Sequence, residues 1–242
     1  MLTSRPATES EIAITGLRHR VYIPAEGSAG KPLVVYVHGR AGTEEVMWVF
    51  SKALERIKPV IVSPQATIPD LNGFSWWPVH EKLSASADAA LRAERLREVE
   101  VGVLQAKAFI EKAHEHYGTD RSRTYIAGFS QGGALSATLS LMEPRMFRGV
   151  GILSGFIPYA VIGENGLVSA DVKAGRVDLP PYFIFHGTED PVLPFSRAEE
   201  TRDWLRGAGA TVDFHQDAVA HKVSSSGIKA LGEWFDRRFA EA

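Results

Sequence analysis

The 242-residue chain contains no cysteine. That absence excludes disulfides, a thiolate nucleophile and metal sites built on cysteine. The chain also lacks an excess of one charge, because 27 basic and 29 acidic residues give a formal net charge of -2. Proteins that bind nucleic acid need a basic stripe, and proteins held at a membrane surface need a polybasic segment. The sequence therefore predicts neither kind of partner.

Long apolar runs are missing as well. The first nine residues lack the apolar stretch of a secretory signal, and no segment approaches the ~20 apolar residues of a membrane-spanning helix. We therefore predict no membrane span and, by default, a cytoplasmic location, with which the absence of cysteine agrees. Nothing in the sequence decides between a monomer and a dimer.

What the chain does contain is a regular alternation of strands and helices. Leu33–Val37 is a continuous run of apolar, mostly β-branched residues, typical of a strand buried on both faces of a parallel sheet. Residues 92–117 carry apolar side chains every three or four positions, which predicts a helix that Gly118 ends. Further strands are predicted at residues 60–62, 124–127, 149–153, 182–185 and 211–214.

This alternation predicts an α/β fold, with a mostly parallel central sheet flanked by helices on both faces. We expect one domain over residues 1–242, since α/β proteins of this length commonly form one. Residues 1–30 are predicted to form an N-terminal arm, with a hairpin of edge strands around Gly16. Thr43 is expected to cap a helix that continues to about residue 57.

Two long connections, residues 66–91 and 155–181, contain turn-forming residues and are predicted to be loops. In parallel sheets, ligands bind beyond the carboxyl ends of the strands. We therefore expect these two loops to flank a functional site. Whether residues 66–91 act as a lid is left open by the sequence.

The strongest chemical motif is Gly-Phe-Ser-Gln-Gly at residues 128–132. A serine hydroxyl is a weak nucleophile, so it must be held in the open beside a base. A sharp turn between a strand and a helix does this, and glycines two residues before and after Ser130 relieve the crowding. A motif this short can occur by chance, but here an apolar strand precedes it and a helix of small residues follows it.

Two further residues complete a nucleophile, acid and base arrangement. Asp190 lies in the loop after the predicted strand at residues 182–185 and is a candidate for the acid that orients the base. Its neighbour Glu189 is the alternative candidate for that role. His221 follows the next strand and can accept the serine proton at neutral pH, whereas its competitor His215 lies within that strand. The chain order of serine, aspartate and histidine is one used on α/β sheets. Asp190 would also suit a structural role as the cap of the following helix. Only local geometry separates Asp190 from Glu189 as the acid.

The other histidines receive structural interpretations. His114 and His116 lie on the long predicted helix and are expected to be exposed to solvent. His38 and His186 each precede a glycine at a strand end, where we expect them to shape the backbone.

When the serine attacks the carbonyl group of a substrate, negative charge develops on the carbonyl oxygen. Backbone N–H donors are expected to stabilise this charge. One is expected from Gln131, at the start of the helix after the serine, and the other from the loop at residues 38–42. In that loop we favour the N–H of Arg40. The Arg40 guanidinium either serves the substrate or faces water.

Four segments together resemble the phospholipase/carboxylesterase family of α/β-hydrolases, which includes acyl-protein thioesterases. They are His-Gly-Arg-Ala-Gly at residues 38–42, Gly-Phe-Ser-Gln-Gly-Gly at 128–133, His-Gly-Thr-Glu-Asp-Pro-Val-Leu-Pro at 186–194, and Ala-His at 220–221. The resemblance covers residues 31–239. It implies Ser130 as nucleophile, Asp190 as acid, His221 as base, and Arg40 and Gln131 as oxyanion donors.

The resemblance also implies a substrate and a pocket. We expect a serine hydrolase that cleaves small-molecule carboxylic esters or thioesters through a covalent acyl-enzyme, with no cofactor and no metal. Phe74, Trp76, Trp77 and Phe156 are expected to line an apolar pocket, although ordinary core packing would explain the same aromatics. Two alternatives stay open: a non-catalytic ligand-binding protein on the same scaffold, and a related triad chemistry such as lactone hydrolysis.

Overall fold

The computed structural model of the protein describes residues 2–80 and 89–241. Its strands are β1 (Arg5–Pro6), β2 (His19–Tyr22), β3 (Leu33–Val37), β4 (Val60–Pro64), β5 (Ile68–Asp70), β6 (Gly73–Ser75), β7 (Thr124–Phe129), β8 (Gly149–Leu153), β9 (Tyr182–Gly187) and β10 (Val212–Asp217). Its α-helices are α1 (Glu9–Thr15), α2 (Ala89–Tyr117), α3 (Gln131–Met142), α4 (Tyr159–Ile162), α5 (Ala170–Lys173), α6 (Ser196–Gly207) and α7 (Ser225–Ala240). Short 3₁₀ helices cover Val46–Leu54, Arg121–Arg123 and Pro144–Met146.

Eight strands form the central sheet, in the order β1-β2-β4-β3-β7-β8-β9-β10. From β4 to β10 all neighbouring strands are parallel, while β1 and β2 add an antiparallel edge. The remaining two strands, β5 and β6, pair with each other as a separate hairpin. This is the mostly parallel sheet that the sequence predicts.

The sheet is covered on both faces because successive side chains of a strand point in opposite directions. In β3, Val35 and Val37 pack into the layer that contains α2, α3 and α6. Val34 and Tyr36 pack into the opposite layer, with the 3₁₀ helix Val46–Leu54 and α7. A strand buried on both faces must be apolar at every position, which explains the unbroken run of β3.

The strand order reverses between β3 and β7. After β3 the chain continues to β4 on one side, and after β7 it continues to β8 on the other. Loops that leave two such strands diverge and open a crevice at their carboxyl ends, which is where ligands bind in open α/β sheets. In this protein Gly39 leaves β3 at that point and Ser130 leaves β7.

Helix α3 packs directly on the end of β3. A methyl group at Gly132 would lie 2.1 Å from the carbonyl oxygen of Val37 and 2.6 Å from that of His38. Real side chains do not tolerate such distances to backbone atoms, so only glycine allows this approach. The glycine therefore fixes how near α3 and β3 lie at the crevice.

The predicted hairpin in residues 12–23 is wrong. Residues Glu9–Thr15 form helix α1, and only β2 is extended. Thr8 caps the helix by accepting a hydrogen bond from the N–H of Glu11, whose carboxylate accepts one from the N–H of Thr8. Gly16, with φ of 86°, ends the helix instead of turning a hairpin.

The two long connections contain more structure than predicted. Residues 66–91 include the hairpin β5–β6 and the first turn of α2, while residues 81–88 lie outside the described part of the chain. Residues 155–181 include the short helices α4 and α5. The helix expected from Thr43 is a 3₁₀ helix that begins at Val46, without a side-chain cap.

The predicted exposure of His114 is also wrong. The side chain is buried, with its two ring nitrogens at 2.7 Å from the hydroxyl of Thr119 and 2.8 Å from that of Thr124. Burial lowers the pKa of His114 to about 4. The ring therefore stays neutral at pH 7 and joins the end of α2 to the start of β7.

We expect Gly132→Ala to lower the free energy of unfolding by about 2–3 kcal/mol, since α3 must move away from β3 to make room for the methyl group. Gly207→Ala is the matched control, because a methyl group there meets no atom within 4 Å. Its unfolding free energy should stay within about 0.5 kcal/mol of the wild-type value. Urea unfolding measures both variants, and equal stabilities would contradict the close approach.

We expect His114→Gln to flatten the loss of stability in acid. The folded pKa of about 4 lies below the ordinary value of 6.5, so the unfolded chain binds more protons between these values. The wild-type protein should lose stability as the pH falls through that window. The His114 share is on the order of 2 kcal/mol at pH 4 after allowance for solvent screening. Urea unfolding at pH 7.5 and 4 measures this share, and an equal decrease in both proteins would refute it.

Candidate active site

Ser130 occupies a strained turn between β7 and α3. Its φ of 53° lies in the left-handed region, with ψ at -116°. The turn is so tight that a methyl group at Gly128 would lie 2.0 Å from the carbonyl oxygen of Gly132. Both glycines of the motif are therefore required by the backbone. The Ser130 N–H donates to the carbonyl of Leu153 at 2.8 Å, which ties the turn to the neighbouring strand β8.

His221 lies next to both Ser130 and Asp190, although it follows Ser130 by 91 residues and Asp190 by 31 residues in the sequence. The Nε2 atom of His221 is 3.0 Å from the Oγ of Ser130. Its Nδ1 atom is 2.6 Å from the Oδ2 of Asp190. The loops after β7, β9 and β10 thus bring the three side chains that the sequence analysis singled out into one hydrogen-bonded chain, with His221 between Ser130 and Asp190.

The Asp190 carboxylate is buried, and its pKa is lowered. Burial opposes ionisation, but hydrogen bonds from the N–H of Leu193, the ring of His221 and the N–H of Val192 outweigh it. Both backbone donors contact Oδ1, at 2.9 and 2.8 Å, which leaves Oδ2 for the histidine. The ionised Oδ2 can only accept, so His221 carries its proton on Nδ1, and Nε2 is free to accept from Ser130. The rival acid, Glu189, is exposed to solvent.

A second histidine contacts the same carboxylate. The Nε2 atom of His186 lies 2.9 Å from the carbonyl oxygen of Leu193 and 3.2 Å from the Oδ2 of Asp190. Since the carbonyl only accepts, this nitrogen carries the proton, and burial lowers the pKa of the ring. Sequence reasoning gave His186 a role in shaping the backbone and missed its contact with Asp190. The spacing of four residues across one loop was the available signal.

His38 has the backbone-shaping position that the sequence suggested. Its Nδ1 lies 2.7 Å from the carbonyl of Gly39, and its Nε2 accepts a hydrogen bond from the N–H of Ala66. Burial lowers the pKa of His38 to about 4, so the ring remains neutral while it joins two loops. His215 lies within β10, where its ring stacks on Phe183.

The loop after β3 approaches the serine closely. A methyl group at Gly39 would lie 3.2 Å from the Cβ of Ser130 and 3.1 Å from the carbonyl oxygen of Phe129. Arg40 follows at this point, and its backbone N–H donates to no acceptor in residues 2–80 and 89–241. The N–H of Gln131 is at the first position of α3, where a helix provides no acceptor of its own. Two backbone donors that have no acceptor among the described residues are thus found near the Ser130 turn, one in the loop after β3 and one at the start of α3.

The hairpin β5–β6 holds the Arg40 loop in place. Ser75, which is fully buried, accepts a hydrogen bond from the N–H of Ala41 at 3.1 Å and donates one to Asp70 at 2.8 Å. Asp70 also accepts from the Arg40 side chain, whose Nε lies 2.7 Å from Oδ2. Ala41 adopts a φ of 54°, a conformation that costs energy for a residue with a side chain. The hairpin contacts stabilise this strained loop.

The side chain of Gln131 joins the same hairpin region to α3. Its amide oxygen accepts from the N–H of Trp76, and its amide nitrogen donates to the carbonyl of Trp77, both at 2.9 Å. The Trp76 indole donates to the carbonyl of His38 at 3.0 Å. The segment after β6 is thus hydrogen-bonded to both backbone elements that frame Ser130.

A cavity of about 590 Å³ opens over Ser130. Trp77 and Phe156 lie on its wall, at the positions that the sequence analysis expected for a pocket. Trp76 and Phe74 do not line it. Trp76 is buried in the core, where its indole N–H donates to the carbonyl of His38, and Phe74 packs against the core while its backbone pairs with Gly42. Their expected pocket positions are therefore wrong.

No cluster of three histidine, aspartate or glutamate side chains in residues 2–80 and 89–241 could hold a metal ion. Across the same described ranges, no helix has both the length and the apolar character needed to cross a membrane.

Solved structures resemble this fold. The carboxylesterase of Bacillus cereus superposes with a TM-score of 0.74, at 19% identity, over 96% of this chain and 100% of that one. At such low identity the likeness shows the fold alone. It is the fold of a known carboxylesterase structure.

Sequence comparison supplies the family. Acyl-protein thioesterase 1 of Yarrowia lipolytica is 26% identical over 237 residues, which cover 91% of this chain and 97% of that protein. Carboxylesterase SOBER1 of Arabidopsis thaliana is 27% identical over 168 residues, covering 68% of each. The family model described as Phospholipase/Carboxylesterase matches residues 20–237, nearly the whole chain. With its Ser130 turn inside the matched region, this chain belongs to the phospholipase/carboxylesterase family.

Proposed function

We propose that this protein hydrolyses carboxylic esters or thioesters through a covalent acyl-enzyme on Ser130. The observation that carries the proposal is the chain of hydrogen bonds from Ser130 through His221 to the buried Asp190. An activated serine beside a base, with the base oriented by an acid, is the arrangement that acyl transfer requires. Family membership supports the same reaction class.

The acylation step follows from the protonation states. As the Oγ of Ser130 attacks the carbonyl carbon, its proton passes to Nε2 of His221, which is 3.0 Å away. The imidazolium is stabilised by the ionised Asp190, whose Oδ2 is 2.6 Å from Nδ1. His221 then gives the proton to the departing alcohol or thiol. The acyl group remains bound to Ser130 as an ester.

The negatively charged oxygen of the tetrahedral intermediate is proposed to accept hydrogen bonds from the backbone N–H groups of Arg40 and Gln131. Both donors have no acceptor in the described chain, and the Gln131 donor also lies at the positive end of the α3 dipole. Because hydrogen bonds fix the surrounding loop, the donors need not reorganise during the reaction. Such preorganised donors are each worth a factor of about 10²–10³ in rate.

Deacylation repeats the same proton transfers with water. His221 removes a proton from a water molecule as its oxygen attacks the acyl carbon, and the second tetrahedral intermediate forms in the same site. His221 then protonates the Oγ of Ser130, and the carboxylic acid leaves. Apolar surface from Trp77 and Phe156 is proposed to hold the organic part of the ester.

We expect Ser130→Ala to lower kcat/KM for a short p-nitrophenyl ester by at least about 10³-fold, because the covalent route is lost. Ser196→Ala is the control, since Ser196 is an exposed residue at the start of α6. It should retain the wild-type rate. A fluorophosphonate probe should label the wild-type protein and the control, and leave Ser130→Ala unlabelled. Absence of labelling in folded wild-type protein would instead favour a ligand-binding role.

We expect Ser75→Ala to lower kcat by about tenfold with little change in KM. The substitution removes the acceptor for the Ala41 N–H and a donor to Asp70, so the oxyanion donor of Arg40 loses its fixed position. An interaction made mainly in the transition state appears in kcat.

The matched control is Ser63→Ala. Ser63 is also a fully buried serine, but its hydroxyl has no hydrogen-bond partner in the described chain. Inhibition by an aryl boronic acid, which mimics the tetrahedral state, should weaken with Ser75→Ala and not with Ser63→Ala. Equal kcat and equal inhibition in both variants would rule out a role of the hairpin in positioning the donor.

A further inference from the structure

We propose that the cavity over Ser130 selects esters that carry a carboxylate close to the scissile bond, and that the guanidinium groups of Arg40 and Arg197 recognise it. This inference rests on the proposed function and adds a substrate class to it. The cavity wall is mostly apolar, yet Arg40 and Arg197 reach it from different elements, the loop after β3 and helix α6. The other charged group of the wall is a cluster in which Glu98 contacts both Arg95 and His80.

Arg40 lies on the cavity wall and carries an exposed charge. Its side chain is 45% exposed, whereas its partner Asp70 is 16% exposed and lies off the cavity wall. Asp70 holds Nε at 2.7 Å and Nη2 at 3.3 Å, so the guanidinium is fixed in orientation. Of the two partners only Arg40 lies on the cavity wall, and its exposed guanidinium is assigned to the substrate.

Arg197 has the same arrangement. Its guanidinium lies over the rings of Tyr159 and Phe156, with its central carbon 3.7 and 4.7 Å from their centroids. Its Nη1 donates to Glu200 at 2.6 Å. Glu200 lies off the wall of this cavity while Arg197 is on it. Two aromatic rings and one carboxylate thus orient a second cationic group toward the same space.

Both arginines keep hydrogen-bond donors for a ligand. A guanidinium has five N–H groups. Asp70 receives two from Arg40, and Arg197 gives one to Glu200 and one to the carbonyl of Ile157. The remaining donors have no acceptor in residues 2–80 and 89–241. Guanidinium groups bind carboxylates with two parallel hydrogen bonds, and the pairing strengthens where apolar walls exclude water.

The charge balance favours a singly charged group. Arg40 and Arg197 are each paired with one carboxylate that lies off the wall, and the third arginine of the wall, Arg95, is paired with Glu98 on the wall itself. The cavity therefore offers partial positive charge from Arg40 and Arg197. One carboxylate matches this better than a phosphate monoester, which brings a second negative charge. The inferred substrate is therefore a half-ester of a dicarboxylic acid, or an ester of a hydroxy acid.

Two pairs of esters of nearly equal shape test this inference. Monoethyl adipate and ethyl hexanoate differ by a carboxylate or a methyl group at the end of the acyl chain. 4-Acetoxybutyrate and butyl acetate differ in the same way on the alcohol side. For each pair, the measured quantity is kcat/KM of the anionic ester divided by kcat/KM of the neutral ester. We expect this ratio to exceed one for at least one pair. The ratio should fall between 0.05 and 0.5 M NaCl, because exposed charges are screened by salt.

Three variants identify the side chains responsible. Arg40→Gln and Arg197→Gln should each lower the preferred ratio about tenfold, while Arg40→Lys should keep part of it. Both esters of a pair react at the same site, so a change that slows the reaction of both esters equally cancels in the ratio. Arg56→Gln is the control, since Arg56 is also an exposed arginine paired with an aspartate but lies away from this cavity. Its ratio should equal that of the wild type.

The outcomes separate the inference from the proposed function. A preference for the neutral ester in both pairs, or a ratio that neither arginine substitution changes, would overturn the carboxylate inference while ester hydrolysis stands. Faster turnover of 3-acetoxypropyl phosphate than of 4-acetoxybutyrate would replace the carboxylate with a phosphate. If no ester is cleaved and fluorophosphonate does not label Ser130, the proposed function itself fails.

Discussion

The close packing of backbone around the Ser130 turn is the constraint on which the rest of the site depends. The turn holds a serine at a φ of 53°, which is unfavourable for a residue with a side chain. It persists because β7 enters it, α3 leaves it and the carbonyl of Leu153 accepts its N–H. Glycines at 128 and 132 are the only residues that fit between these elements. The strain is therefore maintained by the sheet and helix, and the exposed hydroxyl is its consequence.

A second layer of contacts fixes the loop opposite the turn. The hairpin β5–β6 binds the Arg40 loop through Ser75 and Asp70, and the following tryptophans bind both His38 and the start of α3. Apart from the exposed Arg40–Asp70 pair, these hydrogen bonds join buried or half-buried groups, and they are costly to break because the separated groups would lack water. The hairpin thereby connects the two backbone donors without contributing a reacting group. In this protein the long connection after β4 supports the site's geometry.

The same region shows how one charged residue serves two purposes. The Arg40 backbone lies at the proposed oxyanion position, while Asp70 holds its side chain, and the residue is part of the cavity wall. Positioning of the loop and orientation of the guanidinium thus depend on one ion pair. Arg197, packed on two aromatic rings, adds a second oriented charge. The proposed recognition of a carboxylate rests on these two charges in a mostly apolar cavity.

Sequence reasoning located the strands of the parallel sheet because burial on both faces requires unbroken apolar runs. It failed at residues 12–23, where two short extended runs around Gly16 suggested a hairpin, although Thr8 and Glu11 form a capping box that favours a helix. It also misjudged His114, which is one helical turn after the buried Ile110 and faces the same interior. Both errors came from local patterns that were present but were given too little weight.

The sequence by itself determined the family, the mostly parallel α/β fold and the identity of the candidate residues Ser130, Asp190 and His221. Their order and the flanking glycines are local features that the fold's geometry demands. Only the tertiary structure decided which acid faces His221, that His186 shares its carboxylate, and that Trp76 is buried while Trp77 lines the cavity. These outcomes depend on distances between loops that are far apart in the sequence. Such distances are set by how the strands are ordered and packed, which no local pattern of residues records.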